Sequence, residues 1–363
     1  MTTDVRVAIA HDYLTQRGGA ERVVLAMARA FPGAPVYTSL YNPRTTFPEF
    51  ADLTIHESPL ARVPFVRTHH RAALPAYPWA FGRLRPDADV VLCSSSGWAH
   101  GIGGPAPRVV YCHTPPRWLH RPDDFAPGPA ARAVLALLGP GLRRWDRRQA
   151  RSARRYLTNA PGIADRIASA YGIEAEVLPP PVTISVDGFQ EPVAGVGTGF
   201  VLCVARLLPY KHVDLLVAAA ALLPEVEVVV VGDGPERDRL RATAPGNARF
   251  LASVSDAQLR WLYAHAALLA APAEEDYGLT PGEAAAFGVP TVARAAGGHL
   301  ETVVAGRTGL LLADPTPATF AAGLHAALQQ DWDADVLRAH ANDLPAAAFA
   351  RRLREVVAEV VSG

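Results

Sequence analysis

The sequence predicts an α/β chain of two domains, and three observations lead there. The 363 residues are enough for about two domains at roughly 100–200 residues each. Short runs rich in Val, Ile and Leu alternate with helical stretches, the pattern of strand–helix units built on parallel sheets. That alternation breaks once, at Leu178-Pro179-Pro180-Pro181-Val182, and then restarts.

In the first half the strand candidates are Val5–Ala10, Val90–Cys93, Val109–Cys112 and Tyr156–Thr158. Continuous apolar runs of this kind suit strands covered on both faces. A glycine pair, Gly18-Gly19, follows the first run and leads into a helix from about Glu21 to Ala30. Three successive prolines can continue neither a helix nor a central strand. They and the Gly- and Val-rich stretch Pro192–Thr198 read as an interdomain linker. The second half predicts strands at Phe200–Ala205, Val226–Val231, Leu268–Ala271 and Pro290–Ala293. Between them come helices at Lys211–Leu222, Pro235–Ala242 and Pro281–Phe287. Phe349, Leu353, Val356, Val357 and Val360 recur near a period of 3.6 and predict a last helix, Ala346–Val361. The expected division is an N-terminal domain over residues 1–182, a second over 183–345, and a helix over 346–363 that packs back on the first.

Composition narrows the function. Charged residues are 19% of the chain and the formal net charge is zero, which argues against a nucleic-acid binder. Cys93, Cys112 and Cys203 lie in apolar runs and read as reduced core residues of a cytoplasmic protein. The N-terminus carries Asp4 and too short an apolar stretch for a secretory signal, and no run reaches the roughly 18 apolar residues of a membrane span.

Five loops carry the chemistry. Arg17-Gly18-Gly19-Ala20-Glu21 is either a phosphate cradle at a helix start or an ordinary βα turn. Arg206 and Lys211 follow a strand at the edge where open α/β sheets bind ligands, so together they can neutralise a diphosphate. The alternative is a pair of solvated cations. Gly232-Asp233-Gly234-Pro235 is a tight turn with Pro235 expected at the first helical position. Glu275 and Glu283 stand eight apart around Asp276-Tyr277-Gly278-Leu279-Thr280-Pro281-Gly282. Thr280 and Glu283 fit a capping box, which competes with a ligand role for Glu283, while Glu275 is a loop carboxylate suited to paired sugar hydroxyls. His113, in Tyr111-Cys112-His113-Thr114-Pro115, sits directly beyond a strand.

In order and position these segments, with Asn159 and Gly297-Gly298-His299-Leu300-Glu301, resemble glycosyltransferase family 4 over about residues 5–312. The stretches HDYLTQRGGAERV, YCHTPPRW and EEDYG are most similar to its bacterial polysaccharide branch, rich in mannosyltransferases. Three positions depart from the family pattern: Tyr277 for the commoner Phe, Ala160 for Ser after Asn159, and Gly282 for a larger apolar residue. None of the three removes a charged site residue.

The resemblance implies the GT-B architecture, two Rossmann-like domains with parallel sheets facing across a cleft. It implies a retaining transferase needing no divalent metal, with a nucleotide diphosphate sugar donor, GDP-mannose first and a UDP-sugar second. Arg206 and Lys211 would hold the diphosphate, Glu283 the ribose, and Glu275 with the backbone of Tyr277, Gly278, Leu279 and Thr280 the sugar. Gly18, Gly19 and Gly234 would line the donor's phosphates, and His113 would contact the sugar from the other domain. His11 and Asp12 are the expected contacts to a glycan or lipid-linked glycan acceptor. The Asp-x-Asp pairs Asp87/Asp89, Asp331/Asp333 and Asp333/Asp335 are not assigned to a metal. Two basic stretches, residues 62–85 with Phe65, Tyr77 and Trp79, and 143–155 with seven arginines, read either as solvated helical faces or as peripheral contact with anionic membrane. Two other readings stay open, a nucleotide-sugar epimerase on the same scaffold and an inactive scaffold partner, while a third, a dinucleotide oxidoreductase, lacks the required strand–turn–helix context. The last rests on Gly101-Ile102-Gly103-Gly104-Pro105-Ala106, which a strand follows where a helix is required.

Overall fold

The computed structural model describes residues 5–68, 73, 75–120, 129–182, 184–342 and 346–363. The chain divides into two compact units, Met1–Pro181 with Ala346–Gly363, and Val182–Pro345. His69, His70 and Arg71 of the basic stretch lie outside the described residues.

The first unit is built on β1 (Val7–His11), β2 (Val36–Thr38), β3 (Ile55–Glu57), β4 (Val90–Ser95), β5 (Arg108–Cys112), β6 (Arg155–Thr158) and β7 (Glu176–Val177). All pair in parallel, in the order β3-β2-β1-β4-β5-β6-β7. Chain order reverses between β1 and β4. In doubly wound sheets such a switch point opens a crevice at the carboxyl ends of the strands. Ile9, Leu92, Val109 and Leu157 belong to one apolar cluster with the helix Gly19–Ala30. The last helix, Ala346–Ser362, adds Phe349, Leu353, Val356 and Val357 to that cluster. Tyr111 meets Phe349 edge-on with ring centroids 5.7 Å apart, and the Arg354 Nε donates to the Ala30 carbonyl at 3.0 Å.

The second unit is built on β8 (Phe200–Val204), β9 (Val228–Val231), β10 (Ala248–Leu251), β11 (Ala266–Ala271), β12 (Thr291–Arg294) and β13 (Gly309–Leu312). The order is β10-β9-β8-β11-β12-β13, again parallel throughout, with the switch point between β8 and β11. Alternate residues face opposite layers, as the two-residue strand period requires. Val201, Cys203, Val228, Val230 and Leu268 join one cluster, and Phe200, Leu202, Val229, Val231 and Leu269 the other. Both faces are covered, which is why these strands read as unbroken apolar runs.

Several expectations are corrected. The stretch at Pro192–Thr198 is not a free linker: Val193 and Val196 pack on the second unit's core beside buried Ile184. Lys211 does not start a helix. It ends a 3-10 turn, Pro209–Lys211, and the helix begins at Val213 after His212 turns left-handed at φ 49°. Pro235 is not the first helical residue, because that helix is Arg237–Thr243 with Glu236 as its cap. Strands β2, β3, β7, β10 and β13 had no counterpart in the sequence reading. The three cysteines are free and buried, and burial pushes the Cys93 and Cys203 thiols up to about 12.

Candidate active site

In the second unit the loops after β8 and β11 flank the switch point, and they carry Lys211 and Glu275. Lys211 Nζ lies 2.5 Å from both Glu275 carboxylate oxygens and 5.0 Å from the centre of the Tyr210 ring. The pair is mostly buried, with side chains 12% and 28% exposed. Arg206 donates to the Tyr210 hydroxyl at 3.0 Å. One loop therefore presents both cations, steered by one tyrosine.

The loop after β9 lies against this one. Leu207 N–H donates to the Asp233 carbonyl at 2.9 Å, and Glu236 N–H to the Leu207 carbonyl at 3.1 Å. A Cβ on Gly232 would fall 1.9 Å from the Ala205 carbonyl oxygen, and one on Gly234 2.3 Å from that of Leu207. Backbone contact between loops is thus enough to require glycine at Gly234, whether or not a phosphate also binds there.

The capping box expected at Thr280 does not form. The helix starts at Leu279, with Gly278 as its cap at φ 82° and no side-chain cap hydrogen bond. Glu283 instead points inward and accepts from the Tyr263 hydroxyl at 2.8 Å, with only 5% of its surface exposed. Gly298 N–H donates to the Glu275 carbonyl at 2.8 Å. Behind the loop, burial lowers the His299 pKa, and its Nδ1 sits 3.2 Å from the Arg294 carbonyl. Tyr277 is buried, and its hydroxyl pKa is raised by burial and by Glu301.

In the first unit the ends of β1 and β4 and the loop after β5 bring His11, Ser94 and His113 together. Ser94 Oγ lies 3.0 Å from His11 Nδ1 and 2.8 Å from His113 Nε2. His11 Nε2 faces Glu21 Oε1 at 3.8 Å. Burial opposes charge on His11, yet Glu21, Asp12 and the Ser94 carbonyl outweigh it and raise its pKa. Burial, then the neighbouring His11, lowers His113 to about 3, so His113 is neutral at pH 7. Glu21 occupies the first turn of its helix, a favourable place for a carboxylate, and its Oε2 would lie 2.6 Å from a Cβ on Gly18. The Gly18-Gly19 turn is therefore already lined by the Glu21 carboxyl group, which faces His11.

His11 and Asp12, the expected acceptor contacts, lie inside the first unit. The Asp12 carboxylate accepts from the backbone N–H groups of Ser96, Trp98 and Ala99 at 2.6, 2.8 and 2.8 Å. It is 5% exposed and organises the loop after β4 from inside, while His11, 3% exposed, bonds to Ser94 within β4. Asp87 and Asp89 clamp the Arg6 guanidinium at 2.8 and 2.9 Å, ahead of β4 and so at the opposite edge of the sheet from the loops above. Asp333 accepts from the N–H groups of Asp335 and Val336, while Asp335 pairs Arg338. Among the described residues no cluster of three or more His, Cys, Asp or Glu is arranged to hold a metal ion. The dinucleotide reading at Gly101–Ala106 fails, because a Cβ on Gly101 would strike Trp145 at 2.3 Å and one on Gly103 the Gly82 carbonyl at 2.5 Å.

Sequence reasoning missed Ser94 and Tyr263. It also missed a buried triad in which Asp146 faces His100 at 3.1 Å and His120 at 2.7 Å. The run Ser94-Ser95-Ser96 at the end of an apolar strand was the available signal for the first.

Two family profiles match consecutive parts of the chain: one described as Glycosyltransferase Family 4 over residues 17–186, the other as Glycosyl transferases group 1 over residues 189–343. Both describe glycosyltransferases, and together they span residues 17–343. Among curated relatives, a GDP-mannose-dependent alpha-mannosyltransferase of Mycolicibacterium smegmatis is 32% identical over 62% of this chain and 54% of that protein. A second relative from that organism, a GDP-mannose-dependent alpha-(1-6)-phosphatidylinositol monomannoside mannosyltransferase, is 30% identical over 50% of this chain and 61% of its own length. The chain is thus matched over less than two thirds of the length of these curated relatives. Among solved structures, Anabaena Alr3699/HepE in complex with UDP-glucose superposes with a TM-score of 0.72 at 20% identity, covering 97% of this chain and 99% of that one. WaaG, a glycosyltransferase involved in lipopolysaccharide biosynthesis, gives 0.64 at 19% identity over 98% and 100%. These likenesses establish the fold, two Rossmann-like parallel-sheet domains of the GT-B class.

Proposed function

We propose that the chain is a retaining hexosyltransferase that moves mannose from GDP-mannose to a glycan or lipid-linked glycan of a cell-surface polysaccharide. A UDP-sugar is the second donor candidate. The observation that carries this reading is the cation pair at the second switch point, Arg206 and Lys211, with Lys211 held by Glu275. The curated relatives' GDP-mannose dependence supports the donor, and the Anabaena neighbour's UDP-glucose the runner-up.

The chemistry follows from charge. Breaking the glycosidic bond to a nucleoside diphosphate leaves negative charge on the leaving oxygens. Cations placed beforehand stabilise it most where it grows, in the transition state. The diphosphate takes Lys211 from Glu275, and the freed carboxylate accepts donor-sugar hydroxyls. Glu283, which accepts from Tyr263, is the carboxylate that would accept from the ribose hydroxyls. Gly19, first in its helix, offers a backbone N–H to phosphate, and His113 a ring nitrogen to the sugar. We expect no metal requirement, since Arg206 and Lys211 supply the positive charge a metal supplies elsewhere.

Membrane contact belongs to the same proposal. Arg143, Arg144, Arg147, Arg148 and Arg151 line a groove of about 610 Å³ on the helix Pro129–Arg151. None of them pairs with a carboxylate among the described residues. Leu137, one turn and a half earlier on the helix, is 80% exposed. An anionic bilayer fits an arginine face beside exposed leucine. Co-sedimentation with anionic vesicles that fades as salt rises is the expected result; salt-independent or absent binding refutes this part.

A donor screen tests the central claim. Isothermal titration of GDP, UDP, ADP and dTDP and their sugar conjugates, with EDTA present, is expected to show selective binding of the guanine pair. Lys211→Ala should weaken it about 10–100-fold, the loss of one charged hydrogen bond. Binding that ignores Lys211 refutes the site.

A further inference from the structure

Ser94, next to last in β4, is fully buried between two histidines. A hydroxyl has one proton, so Ser94 Oγ can donate to only one of the two rings. The backbone fixes which. The Ser94 carbonyl lies 3.1 Å from His11 Nδ1, and a carbonyl only accepts. His11 Nδ1 therefore carries a proton, shared between the Ser94 carbonyl and Oγ. With Oγ accepting from His11, its own proton points to His113 Nε2.

We propose that Ser94, oriented by His11, is a positioning residue that holds His113 as the Nδ1–H tautomer, so that this N–H donates to a sugar oxygen at the carboxyl edge of the first sheet. The sugar oxygen rests on the function proposed above; the tautomer does not. Among the described residues His113 Nδ1 has no hydrogen-bond partner, and the residue keeps 9% of its surface accessible. Every charged or titratable group facing the pair acts in the same sense. Glu21, from the helix Gly19–Ala30, and Asp12, after β1, favour a charged His11. Burial, and after it the neighbouring His11, keep His113 neutral, and the Tyr111 ring packs edge-on against it at 5.3 Å. A neutral ring bare at Nε2 has its proton on Nδ1. Which nitrogen bears the proton is thus set by a residue that itself touches no ligand, as second-shell partners do elsewhere.

The test is a long-range proton–nitrogen spectrum of the full chain labelled with ¹⁵N-histidine at pH 7, with His113 identified by its loss in His113→Gln. A protonated Nδ1 and a bare Nε2 are expected in the unaltered protein. Ser94→Ala should spread the proton over both nitrogens while leaving nucleotide titration at the second unit unchanged. Its kcat should fall about tenfold or more at constant donor KM, because a wrong tautomer removes the donor atom. A His113 proton on Nε2, an imidazolium, or a Ser94→Ala ring identical to the unaltered one overturns the proposal. The unaltered spectrum suffices alone should Ser94→Ala not fold. A chain with no transferase activity would sink the proposed function and leave the spectrum to judge the tautomer.

Discussion

His113 is a histidine that burial keeps from charging, and this has a consequence in acid. Its folded pKa of about 3 lies below the ordinary value of 6.5. Below 6.5 the unfolded ring takes a proton that the folded one refuses, so the stability tied to its neutrality is present above 6.5 and declines as pH falls toward 3. The slope is at most about 1.4 kcal/mol per pH unit. His11 has the opposite sign: its raised pKa favours the folded state in acid, and that contribution is lost as pH rises through the folded value. Comparing the chain with His113→Gln isolates the first effect. The melting temperature of the unaltered protein should drop more steeply between pH 6.5 and 4.5 than that of the variant, and parallel curves would refute the assignment. At this scale the sequence was informative about residue type and silent about partners. His113 and Glu283 were visible as polar residues in suggestive places, but Ser94 and Tyr263 reach them from 19 and 20 positions away in sequence. No local periodicity encodes contacts at that separation.

Loops and strand ends show what glycine spacing can and cannot reveal. Gly298 has ordinary helical backbone angles, φ −65° and ψ −12°, yet a Cβ there would lie 2.3 Å from the Tyr277 backbone. Gly298→Ala is therefore a purely steric wedge under the loop that carries Glu275. It should weaken nucleotide-sugar binding tenfold or more while costing about 1–3 kcal/mol of stability; titration and melting of one sample separate the two. Unchanged affinity would mean the loop does not position Glu275. The long buried strands were legible because both faces are covered and their apolar runs are unbroken. Strand β2 and the edge strand β3 were not, being three residues each and, in β3, exposed in part. The capping box at Thr280 misled because Gly278, in a left-handed conformation, opens the helix earlier.

Across the whole molecule, two similar sheets were foreseeable from the restarted strand–helix alternation, and their strand orders were not. The last helix gives the test at this scale. Leu353 is fully buried in the first unit's core, so Leu353→Ala should cost about 2–5 kcal/mol. The loss should appear in the first unit's unfolding, with nucleotide affinity of the second unit preserved. A uniform loss in both would show that the units do not unfold separately.

That helix also constrains how the protein is made on the ribosome. The second unit is inserted within the first, between Pro181 and Ala346. While residues 182–345 are being translated, the nascent first unit has its sheet but lacks the segment that covers Val109 and Tyr111 with Phe349 and Leu353. The domain that starts first finishes last, and its apolar seam stays open to chaperones, or to another unfinished chain, for the whole of that interval.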